Sequence, residues 1–214
     1  SRMGKETLSK PKCFTLLNGK RLLDWQLLAL TTAGIDDITI ITGYRSEMFI
    51  GLLPTIYNKR WGETNMVGSL FCANSVDGNT IISYSDIVYK KEHIDCLAKS
   101  KSDITITADK EWASLWLQRF DDPLDDAETF KSNNGVLIEI GGKTNNISEI
   151  EAQFMGLLNL TQNGWKIMFE LYQSLSENRK DALDMTGLLN LVLINGINVS
   201  VVLINGGWCE IDEY

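Results

Sequence analysis

Residues 22–43 read LLDWQLLALTTAGIDDITIITG, and the reading of this stretch decides the fold. Leu23, Leu27 and Leu30 fall at i, i+4 and i+7, and Leu22 and Leu28 widen the stripe, the pattern of a helix with one buried face. Ala33-Gly34 closes it, since glycine suits the left-handed position just past a helix end. After Asp36-Asp37, residues 38–42 are short, β-branched and bounded by Gly43, which predicts a buried strand.

The same alternation continues outward. A second helix is predicted over residues 47–58, bent or split by Pro54. Strands are expected at 80–84 and 104–108, with a helix at 91–98 between them. Units of about 30 residues built this way give a parallel sheet covered on both faces. In the second half, Asn133-Asn134-Gly135 signals a turn before a strand at 136–140, which Gly141-Gly142 ends. A strand within 152–160, helices at 165–175 and 185–194, and strands at 199–204 and 208–211 complete the pattern. With no internal repeat, low-complexity run or linker, residues 1–214 read as one α/β domain with a mixed sheet.

Composition narrows the function. The chain has 20 Lys+Arg and 28 Asp+Glu, a net charge of −8, with 44% hydrophobic and 22% charged residues. That describes a globular chain and argues against a general nucleic-acid binder, which needs a basic face. The single histidine, His93, would have to serve any Ser-His-Asp triad or imidazole zinc site. It lies in KKEHIDCLAKS, which reads as a surface helix, so a solvated His93 is expected. Cys13, Cys72, Cys96 and Cys209 are scattered and read as reduced thiols of a cytoplasmic protein. No run of about 18 apolar residues suggests a membrane span. No signal peptide is visible, although a chain beginning Ser-Arg-Met-Gly could have been cut there.

Four pieces can carry chemistry. Ser1-Arg2-Met3-Gly4 and Lys10-Pro11-Lys12 join backbone N–H groups and cations in a way that suits a polyphosphate, or form a solvated basic terminus. Asp86, directly after an apolar strand, lies where parallel sheets bind ligands and could hold Mg²⁺, or could simply form a turn or helix cap. Glu210 and Asp212 share one side of the last strand, so Asp212 either completes a two-carboxylate site with Asp86 or is an exposed acidic end. Asn65, Met66, Val67 and Ser69, with Asp109, Trp112, Trp116 and Arg119, either cage an ammonium group or pack as core.

Taken in order, SRMG, KPK, GY, TNMV-x-SL, SD and EID resemble the nucleotidyltransferases that activate small phosphorylated metabolites with a nucleoside triphosphate. The likeness spans nearly the whole chain. Trp61 to Leu70, Ser83 to Val88, Arg119 to Pro123 and Glu139 to Gly142 narrow it to the cytidylyltransferases acting on 2-aminoethylphosphonate and phosphocholine. The resemblance implies a three-layer α/β/α, Rossmann-like nucleotidyltransferase fold with a mostly parallel mixed central sheet.

It also implies Mg²⁺-dependent transfer of a cytidylyl group from CTP to a small phosphonate or phosphate acceptor. Arg2, Lys12, Asp86 and Asp212 match catalytic positions, with the metal on Asp86 and Asp212. Ser1, Arg2, Met3, Gly4, Lys12 and Ser85 match the nucleotide site. For the acceptor, Asn65, Ser69, Asp109 and Trp112 are expected, with Glu151 or Asp184 as further carboxylates. Arg119 has the alternative of pairing with Asp121 or Asp122.

The chain departs from the family in starting inside the glycine-rich loop, in carrying Ser85 where glycine is frequent, and in stopping soon after EID. An N-terminal strand is therefore expected to be missing from a domain trimmed at both ends. Two other readings share these residues: a sugar-1-phosphate nucleotidyltransferase, and a non-catalytic nucleotide-binding domain of a larger fusion. The expected partners are CTP and the acceptor, without nucleic acid or membrane, leaving room for a homodimer or a fusion.

Overall fold

The computed structural model describes residues 9–211. A short hairpin of β1 (Leu16–Leu17) and β2 (Lys20–Arg21) leads into α1 (Leu22–Thr32). The buried face of α1 is Leu22, Leu23, Gln26, Ala29 and Leu30; of the expected stripe, Leu27 is half-buried and Leu28 faces outward, with Gln26 and Ala29 inward instead. β3 (Ile40–Thr42) runs parallel to β4 (Thr55–Tyr57).

The helix predicted over residues 47–58 does not form. A single 3₁₀ turn, Ser46–Phe49, gives way to Gly51 at φ +77° and then to β4. Pro54 offers no N–H and biases its predecessor toward extended backbone, and the β-branched Thr55 and Ile56 follow as a strand.

The chain continues through α2 (Met66–Leu70), β5 (Thr80–Ser83), β6 (Ile87–Tyr89), α3 (Lys91–Ala98), β7 (Ile104–Asp109) and α4 (Trp112–Arg119). Then come β8 (Phe130–Asn133), β9 (Val136–Ile140), β10 (Gln153–Leu160), α5 (Gln162–Gln173) and α6 (Glu177–Ala182). Finally α7 (Met185–Ile194), β11 (Ser200–Ile204) and β12 (Trp208–Glu210) close the described chain.

Among the described residues the central sheet has six strands in the order β5-β10-β7-β11-β9-β8. β5, β7, β11 and β8 point one way, while β10 and β9 run against them. Most strands of this sheet therefore share a direction, yet within it only the neighbours β7 and β11 pair in parallel. β12 pairs with β6 in a separate antiparallel ribbon.

The sheet separates two apolar cores, which gives the three layers. On one side Ile104, Ile106, Leu158 and Leu160 meet Trp165 and Met168 of α5 and Leu188 and Val192 of α7. On the other, Met155 and Leu157 meet Leu30 of α1, Leu97 of α3 and Trp112 and Trp116 of α4. β7 is buried along its whole length, as a strand between two helix layers must be. Burying each such Leu or Ile contributes about 1.5–3 kcal/mol.

His93 overturns the expectation of a solvated imidazole. It is 7% exposed and shares the inner face of α3 with Ile94 and Leu97. Burial holds its pKa below the usual imidazole value, so it is a neutral packing residue on the second core.

β10 carries the one irregularity that shapes the site. Its register with β7 is Phe154 to Ala108 and then Leu158 to Ile106, so two extra residues are accommodated between them. At the centre of this bulge Gly156 takes φ +72°, and a Cβ there would lie 2.5 Å from the Tyr84 ring. Only glycine fits both demands.

Candidate active site

Lys12 and Asp86 meet although 74 positions separate them. Pro11 is buried and opens the 3₁₀ turn Lys12–Phe14, which Cys13 anchors by packing with Leu23 and Phe49. From that turn Lys12 Nζ donates to Asp86 Oδ2 at 2.7 Å, the two side chains being 18% and 19% exposed. Mutual pairing offsets part of the cost of shielding both charges from water.

Asp86 is held from two further directions. Gln26, buried in α1, donates from Nε2 to the carbonyls of Tyr84 at 2.7 Å and Ile87 at 2.6 Å, clasping the turn on both sides of Asp86. The N–H of Ile211 donates to the Asp86 carbonyl at 2.8 Å, continuing the ribbon in which Glu210 faces Ile87. The chain just before position 212 thus lies against Asp86.

Carboxylate oxygens are the donors a hard divalent cation takes, and Asp86 offers one such group, paired here with Lys12. Among the described residues no group of three His, Cys, Asp or Glu is placed to bind a metal. Asp212, the expected second ligand, lies outside the described residues, as do Ser1, Arg2, Met3 and Gly4. Ser85 is exposed next to Asp86.

Beside this pair opens a cleft of ≈ 220 Å³, bordered by Tyr84, Ile87 and Glu210. Asp126, Glu128, Asp184 and Glu210 supply its carboxylates, and Tyr84, Phe154, Trp116 and Trp208 are among its aromatic walls. Neither lysine nor arginine is among its described lining residues. Trp116 Nε1 donates to Asp126 Oδ2 at 3.2 Å. Glu128 is pushed above the usual carboxylate range by burial first, and also by Asp184 and Asp126, with Thr186 and Lys143 pulling the other way. An acidic, aromatic recess of this kind suits an ammonium group.

Of the six expected acceptor residues, Asp184 lines this cleft, where it also caps α7 by accepting from Gly187 N at 2.8 Å. The structure puts the other five elsewhere. Asp109 is 2% exposed and accepts from Gly206 N, Glu111 N and Trp208 Nε1. Trp112 is 3% exposed and donates to the Ile150 carbonyl. Glu151 is exposed and accepts from Ser132 N. Asn65 caps α2 and donates to the Ala182 carbonyl, and Ser69 accepts from the buried Asn58. Arg119 pairs with Glu210 at 3.3 Å, not with Asp121 or Asp122, and lies over the Trp116 and Phe120 rings.

Sequence reasoning missed Asp126, Glu128 and Glu210 as cleft groups. For Asp126 and Glu128 the available signal was the acid-dense DDPLDDAE of residues 121–128, which alone reads as a solvated loop.

Comparison with known proteins gives a consistent picture. No protein-family model matches the chain. A CTP:phosphoglutamine cytidylyltransferase of Campylobacter jejuni is 34% identical over 231 aligned positions, covering 99% of this chain and 91% of that protein. A 2-aminoethylphosphonate cytidylyltransferase of Lancefieldella rimae is 31% identical over 102 residues, covering 44% of this chain and 42% of that protein. The solved inositol-1-phosphate CTP transferase of T. maritima superposes with a TM-score of 0.79 at 18% identity, over 99% of this chain and 84% of that one. At that identity the likeness speaks for the shared fold. No helix among the described residues is long and apolar enough to cross a membrane.

Proposed function

We propose, from the premise that this chain belongs to the cytidylyltransferase family, that it transfers the cytidylyl group of CTP to a small phosphate or phosphonate whose other end carries an ammonium group, releasing pyrophosphate. The observation that carries this reading is the carboxylate and aromatic cleft opening beside Lys12 and Asp86. 2-Aminoethylphosphonate and phosphocholine both have the required chemistry, an anionic oxygen to react and a cation to recognise.

The acceptor oxygen attacks the α-phosphorus of CTP, the new P–O bond forms, and the bond to pyrophosphate breaks. Because that oxygen is already anionic near neutral pH, no protein base is required, and catalysis reduces to alignment and charge neutralisation. This agrees with a lone histidine buried in the core. Asp86, with Asp212, would hold a Mg²⁺ ion, which when bound neutralises charge on the α-phosphate. Lys12 leaves Asp86 and donates to the α-phosphate oxygens as charge develops there. Arg2 is assigned to the β- and γ-phosphates. Asp126, Glu128 and Asp184 pair with the acceptor's ammonium, and Trp116 and Trp208 shield it from water.

The test is pyrophosphate release with Mg²⁺ and each of four nucleoside triphosphates, against 2-aminoethylphosphonate, phosphocholine and glucose-1-phosphate. Turnover is expected with CTP and an amino-bearing acceptor. Preference for glucose-1-phosphate, or CTP binding without pyrophosphate release, overturns the reading.

A further inference from the structure

Residues 121–128 place Asp121, Asp122, Asp125, Asp126 and Glu128 within one short loop. Like charges this dense repel, and the loop is bound by little secondary structure beyond the 3₁₀ turn Pro123–Asp125. Its backbone is nevertheless fastened at four consecutive carbonyls by two side chains distant in sequence. Lys143 Nζ lies 3.4, 3.1 and 3.3 Å from the carbonyl oxygens of Asp125, Asp126 and Ala127. An ammonium has three N–H donors, and here each has a carbonyl. The fourth belongs to Gln153: its Nε2 donates to the Glu128 carbonyl at 2.6 Å, and its Oε1 accepts from Glu128 N at 3.3 Å. The buried Gln153 amide thus acts as a rung of sheet against Glu128, at the start of β10.

With the backbone fastened, the side chains on either side of Ala127 turn inward. Asp126 meets Trp116 Nε1, and Glu128 meets Thr186. Ala127 between them is 2% exposed and packs into the core under α4.

We propose that Lys143 and Gln153 are positioning residues for the acceptor: they fasten backbone 125–128 so that the Asp126 and Glu128 carboxylates converge on the cleft. The proposal rests on reading that cleft as the ammonium site. Neither residue is assigned to CTP, so the pair tunes one substrate and leaves the other alone.

The experiment uses the full chain as Lys143→Met, Lys143→Arg and Gln153→Glu. Amide hydrogen exchange and steady-state kinetics with CTP and 2-aminoethylphosphonate are measured on each. Lys143 is exposed, so its methionine variant retains the core. Expected for Lys143→Met are faster exchange at residues 125–128 and an acceptor KM raised about tenfold, as loss of a charge-assisted contact implies, with the KM for CTP unchanged. Lys143→Arg should recover part of the acceptor KM. Gln153→Glu sets a carboxylate against the Glu128 carbonyl and should likewise speed exchange at residues 125–128, which is its readout because Gln153 also borders the cleft.

Unchanged exchange at 125–128, or equal rises in both KM values, overturns the fastening role. Wild-type protein that turns over no amino-bearing acceptor overturns the functional reading instead. The exchange result reports the fastening independently of turnover, so the two failures are distinguishable.

Discussion

Lys12 and Asp86 neutralise one another in the structure, and each has a different duty in the proposed reaction. Asp86→Asn keeps the size of the side chain and its place in the turn, which Gln26 and Ile211 hold through backbone groups. It is therefore expected to lower pyrophosphate release by about 10²-fold or more while the thermal midpoint stays close to wild type; wild-type turnover would remove Asp86 from the mechanism. Lys12→Met should reduce kcat more than it raises the KM for CTP, because its charge is assigned to the transition state.

Glu128 makes a pH prediction. Burial raises its folded-state pKa. The stability a raised carboxyl contributes is present at low pH and lost as pH rises through the folded value. Glu128→Gln should thus resist denaturant better than wild type at pH 8, with the gain fading in acid. Binding runs the other way, since a cationic acceptor needs the ionised form. Acceptor KM should rise on acidification at a higher pH than an ordinary carboxylate would give, and Glu128→Gln should remove that dependence. Asp184, Asp126 and Lys143 face the same group and shape the curve.

At the scale of elements, some of the fold could be read directly. α3, α7 and β9 lie at the expected residues 91–98, 185–194 and 136–140, because each has regular periodicity and local stop signals, such as the Asp184 cap and the Asn134-Gly135 turn. Residues 47–58 misled because helical spacing of apolar residues survives in a segment that Gly51 and Pro54 break. The sequence leaves Trp112 and Trp116 of α4 open between an ammonium cage and core packing; at i and i+4 both are buried in the second core, and Trp116 also borders the cleft. Lys12 and Asp86 were each singled out by motif resemblance, but their pairing across 74 positions was not. Asp126 and Glu128 of the cleft were not singled out either, because sequence spacing does not reveal which acids of a loop a distant Lys143 and Gln153 turn inward.

Two element-level substitutions test the scaffold behind the site. Gln26→Leu removes the side-chain donor shared by the Tyr84 and Ile87 carbonyls, leaving Tyr84 only the Ser83 hydroxyl, and is expected to cost about 1–3 kcal/mol in urea unfolding. It should also slow turnover, because the turn carrying Asp86 loosens. Gly156→Ala forces a side chain into positive φ and against the Tyr84 ring. A loss of about 1–3 kcal/mol is expected, together with a weaker grip on the acceptor; unchanged stability would show that the bulge tolerates a Cβ.

For the whole molecule, the two cores share one sheet and the net charge of −8 includes the acids gathered at the cleft. Leu158 is fully buried in the core under α5 and α7. Leu158→Ala should cost about 2–5 kcal/mol, with tryptophan fluorescence, which reports from this core through Trp165 and from the opposite one through Trp112 and Trp116, and far-ultraviolet circular dichroism changing at one midpoint. Separate midpoints would mean that the sheet does not couple its two sides.

The bulge in β10 has a further consequence through its parity. Even-numbered Phe154, Leu158 and Leu160 belong to one core, and odd-numbered Met155 and Leu157 to the other, across the whole interruption. One extra residue would have exchanged the two faces beyond it; two leave them in phase. Insertions or deletions in steps of two can therefore reshape the mouth of the cleft while the far half of the strand keeps every side chain on its own side, and single-residue changes at the same spot cannot.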